Sequence, residues 1–255
     1  MKPDFSFERQ LKNLEQEADA VASYVYAEMT IHHAASKSKV LLARLNLTPT
    51  FWNSCLAALQ SAAYISLGRV FDLKSPYNLD ALLGAMEVNL SQFHRAALAS
   101  RKREGHTIDP PWLQDYLNEA YYPTQADVAR LRKKVGEYRR VYDRAIMPVR
   151  HQYLAHRQAH DRDKVQRLYA QGKVAEIRRL STFLLRLHTS LWELWHNGRK
   201  PALRQVRHSV KSIYESDTKR RGAHEYVVRD TKALLEFLET ATPNHSFQRT
   251  ASGGR

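Results

Sequence analysis

Arg150 and His156 carry the side chains in this sequence best suited to acting on a phosphate. A guanidinium is always charged and presents a rigid fork of donors, while an imidazole exchanges protons near neutral pH. Their spacing gains meaning on a helix, where each residue advances about 100°. Arg150, Tyr153, His156, Arg157 and His160 then share an arc of roughly 120°. A core helix would place Leu or Val there, whereas this arc holds two imidazoles, two guanidiniums and a phenol. Polar groups cost free energy when buried without partners, so the arc is expected to face a cleft, a symmetry mate or a ligand. Pro148 lies just upstream, lacks an N–H and clashes with the carbonyl four residues back. The helix should therefore kink or restart there, with Ile146 and Val149 of the preceding turn on the same side as the arc and Arg150 in its first turn. A helix N-terminus already favours anions, and Arg150 adds a forked donor.

The rest of the chain must position that arc. Its 255 residues show no obvious linker between two cores, so a single domain over residues 1–240 is expected, with a disordered tail over 241–255. Forty Lys and Arg against 26 Asp and Glu give a formal charge of +14, which points to a polyanionic partner, nucleic acid before anionic membrane. The single cysteine, Cys55, excludes an internal disulfide framework and a Cys-rich zinc site and suits a reducing cytosol. The start at Met1-Lys2-Pro3-Asp4-Phe5 has no apolar signal core, and no apolar run approaches the roughly 20 residues of a membrane span. A cytoplasmic protein without a membrane segment is expected.

Apolar residues recur at helical spacing and glycine and proline are few, so the fold reads as all-α, an up-and-down helical bundle with a kinked central basic helix. Leu11, Leu14, Ala18, Val21, Val25 and Met29 mark a first helix from Ser6, and a further helical segment runs to about Leu45. Thr48-Pro49 is a start signal, and the helix to Phe71, with Trp52, Leu56, Leu59, Ala63, Ile65 and Leu67, is expected to be the most buried. After a turn at Ser75-Pro76-Tyr77-Asn78, one helix is predicted from Leu79 to about Arg103, then a short aromatic helix over Pro111–Tyr121. Thr124 caps the central helix, Gln125 to about His160, which is basic at Arg130, Arg132, Lys133, Lys134, Arg139, Arg140 and Arg144. A short helix from Asp161 to about Gln171 precedes a strongly amphipathic one over Val174–Trp195, ended by Asn197-Gly198. The last helix is predicted from about Ala223 to Leu238, after the run Lys219-Arg220-Arg221.

The stretch Arg150 to His156 resembles the Arg-x(4-6)-His signature of the HEPN superfamily. Leu67-Gly68-Arg69-Val70-Phe71-Asp72, Ala120-Tyr121-Tyr122-Pro123-Thr124 and Asn197-Gly198-Arg199-Lys200-Pro201 extend the likeness to the abortive-infection branch of that superfamily over most of residues 50–201. The resemblance implies a metal-independent endoribonuclease of phage defence or a toxin, with Arg150 and His156 catalytic and His151 in the polar position that follows the motif arginine. It also implies a homodimer that brings two motifs to one cleft, with an antitoxin or nucleotidyltransferase partner in some members. Other members bind RNA without cutting it. The chemistry agrees: RNA cleavage needs the 2′-hydroxyl deprotonated, the phosphoryl charge stabilised and the leaving oxygen protonated. Tyr153, Arg157, His160 and Arg144 are then candidates to touch RNA.

Each feature has a plainer reading. Arg150 and His156 can be surface residues, and the basic half of the central helix a solvated face. His156 and His160 stand one turn apart as metal ligands would, but no carboxylate shares their arc, so neither metal nor cofactor is expected. Arg69 and Asp72 can form an intrahelical ion pair or orient a motif residue. Gly68 is expected to allow close helix contact. Trp192, Trp195, Tyr121, Tyr122 and Tyr153 can stack on bases, although such spacing more often marks a core.

Overall fold

The computed structural model describes residues 6–151, 174–203, 209–216 and 222–241, and every regular element among them is helical. The elements are α1 (Phe7–Lys37), α2 (Lys39–Leu45), α3 (Pro49–Phe71), α4 (Leu79–Val88), a 3-10 turn (Leu90–Phe93), α5 (Arg95–Arg103), α6 (Leu113–Glu119), α7 (Gln125–Ala145), α8 (Met147–Val149), α9 (Val174–Asn197), α10 (Val210–Tyr214) and α11 (Ala223–Thr240). The all-α expectation holds. No helix among the described residues is long and apolar enough to cross a membrane. The short helix expected over 161–171, the run Lys219-Arg220-Arg221 and the tail beyond 241 lie outside the described residues.

Two compact units account for the packing, one from the described parts of Met1–Val25 and Gln60–His208, the other from those of Tyr26–Leu59 and Ser209–Arg255. Their boundaries fall inside α1 and α3, which is why no linker marks them in the sequence.

In the first unit α7 packs on α4 and α9, and α5 packs on α6 and α9. Leu180, Leu184, Leu187 and Leu191 of α9 recur at three to four residues and are fully buried, which exploits the apolar stripe of an amphipathic helix. Phe7, Phe93 and Trp195 form an aromatic cluster, with ring centroids 4.9 to 5.1 Å apart. Tyr138 stacks on Phe183 at 3.8 Å.

Burying Phe93 explains a departure from the single helix expected between Leu79 and Arg103. Asn89 turns its amide onto the Ala85 carbonyl at 3.0 Å and ends α4. His94 is then extended (φ −78°, ψ 168°), and α5 begins anew. Asn competes for backbone hydrogen bonds and so ends helices.

In the second unit Ile31, Ala34, Leu41, Leu45 and Leu235 form the core, flanked by half-buried Trp52, Leu56 and Leu59. Ser38 caps α2 and donates to Glu239 at 2.5 Å, and Arg44 donates to the carbonyls of Leu238 and Ala241. These contacts fasten α11 to α2.

The expectation that α3 is the most buried helix is overturned. Only its last third, from Ala63, is buried, and Phe51 near its start is 61% exposed. Alanines and serines between the larger residues weaken the apolar stripe, so its first turns cover a core on one side alone.

Candidate functional site

Pro148 has the effect its chemistry predicts. The helix α7 stops at Ala145, Ile146 departs from helical geometry (φ −114°, ψ −44°), and Pro148 sits in the single turn of α8. The backbone then widens into a π-type turn at Arg150 and His151. Ile146 and Val149 are fully buried and anchor this turn, while the Arg150 N–H keeps its bond to the Ile146 carbonyl at 3.0 Å.

From that stub the Arg150 side chain crosses to the end of α3. Its Nη1 donates to Asp72 Oδ2 at 2.7 Å and to the Tyr142 hydroxyl at 3.1 Å. Asp72 Oδ1 accepts from the Lys74 N–H at 3.0 Å. The hydrogen bond from Arg150, then that from Lys74, hold the Asp72 carboxyl below the usual carboxylate range, and the charge of His151 adds to the effect. Tyr142 stacks on Phe71 at 5.5 Å, and burial raises its phenol pKa, so the hydroxyl keeps its proton. The Arg150 and Asp72 side chains are 27% and 20% exposed. The guanidinium therefore lies at a rim, fixed from within and open on one side.

Of the residues singled out from sequence, Arg150, His151 and Asp72 meet here, with His151 exposed beside the pair. Tyr153, His156, Arg157 and His160 lie outside the described residues. Arg144 is exposed and paired with Glu176 at 2.5 Å. Arg69 corrects an expectation: it pairs with Glu17 on α1 at 3.1 Å, and Asp72 goes to Arg150 instead. Just past the end of α3, Asp72 keeps its N–H on the Gly68 carbonyl at 2.9 Å and so lies about 40° from Gly68, while Arg69 lies about 100° from it, and the two charged residues serve different neighbours.

Two participants escaped the sequence reading. Tyr142 is not singled out by its sequence context, because it meets Arg150 across the break at Pro148. Gly68 was read as a site of helix contact, yet the atoms above it are the guanidinium of Arg150. A signal existed, since Gly68 and Asp72 stand one turn apart and leave a shelf under a carboxylate.

The basic face of α7 is laced with carboxylates. Arg132 pairs with Glu87 at 2.7 Å, Lys134 with Glu137 at 2.6 Å, Arg139 with Asp80 and Arg130 with Asp127. Its first half thus has a structural account.

Two further motifs meet at the other end of α7. The Tyr121 N–H donates to the Gly198 carbonyl at 2.6 Å, and Lys200 lies 5.4 Å above the Tyr121 ring. Buried Asp127 accepts from the Tyr121 hydroxyl at 2.5 Å and from the Thr124 N–H and hydroxyl at 2.8 Å each. Burial opposes ionisation of Asp127, and those bonds together with Arg130 outweigh it, so its pKa is lowered. Trp195 is core, whereas Trp192 is 40% exposed.

Neither a curated protein nor a solved structure matches the chain. The model of the HEPN AbiU2 family matches residues 5–213, a span that takes in α1 and runs through the kink, the Arg150 pair and both flanking motifs. The chain belongs to this HEPN family of abortive infection, AbiU2.

Proposed function

We propose that this protein is a metal-independent endoribonuclease acting in phage defence or as a toxin. The observation that carries the reading is the Arg150 guanidinium held at the rim by Asp72 and Tyr142, on a kinked helix of a HEPN-family chain. An imidazole of the motif takes the proton of a ribose 2′-hydroxyl, and the freed oxygen attacks the adjacent phosphorus. Negative charge gathers on the non-bridging oxygens, where Arg150 attracts it more strongly than in the ground state. The 5′-oxygen leaves with a proton from a second imidazole, giving a 2′,3′-cyclic phosphate and a 5′-hydroxyl.

His156 supplies the imidazole, and its copy in a homodimer supplies the second, since one helix cannot place Arg150 and His156 around a single phosphate from opposite sides. His151 assists beside Arg150, and Tyr153, Arg157, His160 and Arg144 hold RNA. The site is cytoplasmic, and an antitoxin or nucleotidyltransferase restrains it in the uninfected cell.

A second reading follows from one observation: the Arg150 fork is already engaged by Asp72, which also suits an RNA-binding scaffold without activity. Expression in a bacterial host separates the two. The endoribonuclease arrests growth, and Arg150→Ala and His156→Ala relieve the arrest at equal protein levels. Equal arrest by all three chains, or none by the wild type, removes the enzyme reading.

A further inference from the structure

The first unit carries a second surface suited to nucleic acid, built by the ends of α5, α6 and α9. Lys102 Nζ donates to Asn197 Oδ1 at 2.8 Å and lies 5.0 Å above the Tyr116 ring, whose hydroxyl donates to the Asn197 carbonyl at 2.8 Å. Ring contacts spread from this join. Tyr116 meets Trp112 at 5.7 Å, and His196, next to Asn197, meets Trp192 at 4.5 Å. Both indoles are open to solvent, Trp112 at 47% and Trp192 at 40%. Arg199 and Lys200 come just after Gly198 and are exposed.

Glu193 is the carboxylate at the join, and it is divided between Arg199 at 3.2 Å and the Asn197 amide at 2.9 Å. Burial lowers the Lys102 pKa, the Glu193 carboxylate opposes that shift, and Arg199 and Arg101 add to it, so one carboxylate stands among three cations. Charge complementarity with a polyanion follows from that excess of cations. Exposed indoles beside exposed cations match a strand whose bases are unpaired, because a duplex hides the base faces that an indole can stack on.

We propose that this surface binds single-stranded nucleic acid, with phosphates against Arg199 and Lys200 and bases stacked on Trp112 and Trp192. The binding does not depend on Arg150 being catalytic, and in an RNA-cutting protein it holds substrate outside the cutting site.

The test uses the full-length Arg150→Ala chain, which leaves the probe intact, and the anisotropy of a fluorescein-labelled oligouridine over a series of salt concentrations. Replacing both cations, Arg199→Gln with Lys200→Gln, should weaken binding about tenfold or more and flatten the slope of log affinity on log salt by about 1.4. Lys200→Gln alone should change the slope by about 0.7. Trp192→Ala should weaken binding roughly tenfold and leave the slope alone, because stacking releases no counterions. These side chains are exposed, so circular dichroism melts should match those of the parent chain. Parental affinity and slope in the cation variants, or duplex RNA bound as tightly as oligouridine, would overturn the proposal. Parental affinity in Trp192→Ala with the cation effects intact would also overturn it, since a purely electrostatic surface would remain.

Discussion

The guanidinium of Arg150 occupies the space that a side chain on residue 68 would need: a β-carbon on Gly68 would stand 2.6 Å from Arg150 Nε. Glycine here is a shelf for a charged group, and it links α3 to the kinked end of the central helix.

Gly68→Ala therefore separates folding from function. Alanine gains about 1 kcal/mol of helix propensity, which offsets part of the bonds lost when the flexible end of Arg150 is pushed aside. We expect urea unfolding to change by no more than about 1 kcal/mol. RNA cleavage should fall by about a hundredfold, the usual effect of a misplaced catalytic group. Wild-type cleavage in this variant would show that the Gly68 shelf does not set the position of Arg150.

Asp72→Asn keeps the shape of the anchor and removes its charge. It should cost about 1.5 to 3 kcal/mol near neutral pH, the range for a hydrogen bond to a charged group, with some loss to solvent at the rim. The pH dependence has a definite sign. Asp72 is a stronger acid in the folded chain than its ordinary value of 3.8, so the unfolded chain takes up the proton first as pH falls. The stabilisation is complete above the ordinary carboxylate range and is lost as pH falls through the folded pKa. Equilibrium unfolding of the two chains should therefore converge on acidification. A constant difference from neutral to acid pH would contradict the Asp72–Arg150 assignment.

Asp127 joins the Tyr121 and Thr124 motif to the start of α7 through buried bonds. Asp127→Ala should destabilise by about 3 to 5 kcal/mol, having stripped several donors of one buried acceptor. Tyr121→Phe removes a single bond and should cost about 1 kcal/mol. Chemical denaturation checks both, and an Asp127→Ala loss under about 1 kcal/mol would show that the joint is not structural.

Gly198 has a positive φ of 55°, and a β-carbon there would meet Leu98 at 2.8 Å and Ala120 at 2.9 Å. Both the backbone and the packing demand glycine. Gly198→Ala should lower stability by about 2 to 4 kcal/mol and shift the melting temperature by several degrees. An unchanged melt would contradict the close approach of the α9 turn to α5 and to Ala120.

Local signals in the sequence were read correctly where one residue decides the outcome. Thr48-Pro49 and Thr124 start α3 and α7, Asn197-Gly198 ends α9, and Pro148 breaks the central helix. The errors concern choices made by tertiary packing. Asn89 offers only a weak local reason for the break before His94; the larger reward is Phe93 against Phe7 and Trp195, far away in the chain. The half-exposed start of α3 reflects a division of packing that begins inside the helix. At the site, the residue types and the kink were legible, but the partner of Arg150 was not. Asp72 lies 78 residues upstream, and spacing within one helix offered it Arg69 instead.

Purified protein incubated with total RNA in the presence of a chelator tests the central claim most directly, with the ends of the fragments identified. The account predicts chelator-resistant cutting that leaves 2′,3′-cyclic phosphate and 5′-hydroxyl ends, lost in Arg150→Ala and His156→Ala chains that still bind RNA. Cutting that needs a divalent cation, fragments with 5′-phosphate ends, or undiminished cutting by either variant would contradict it.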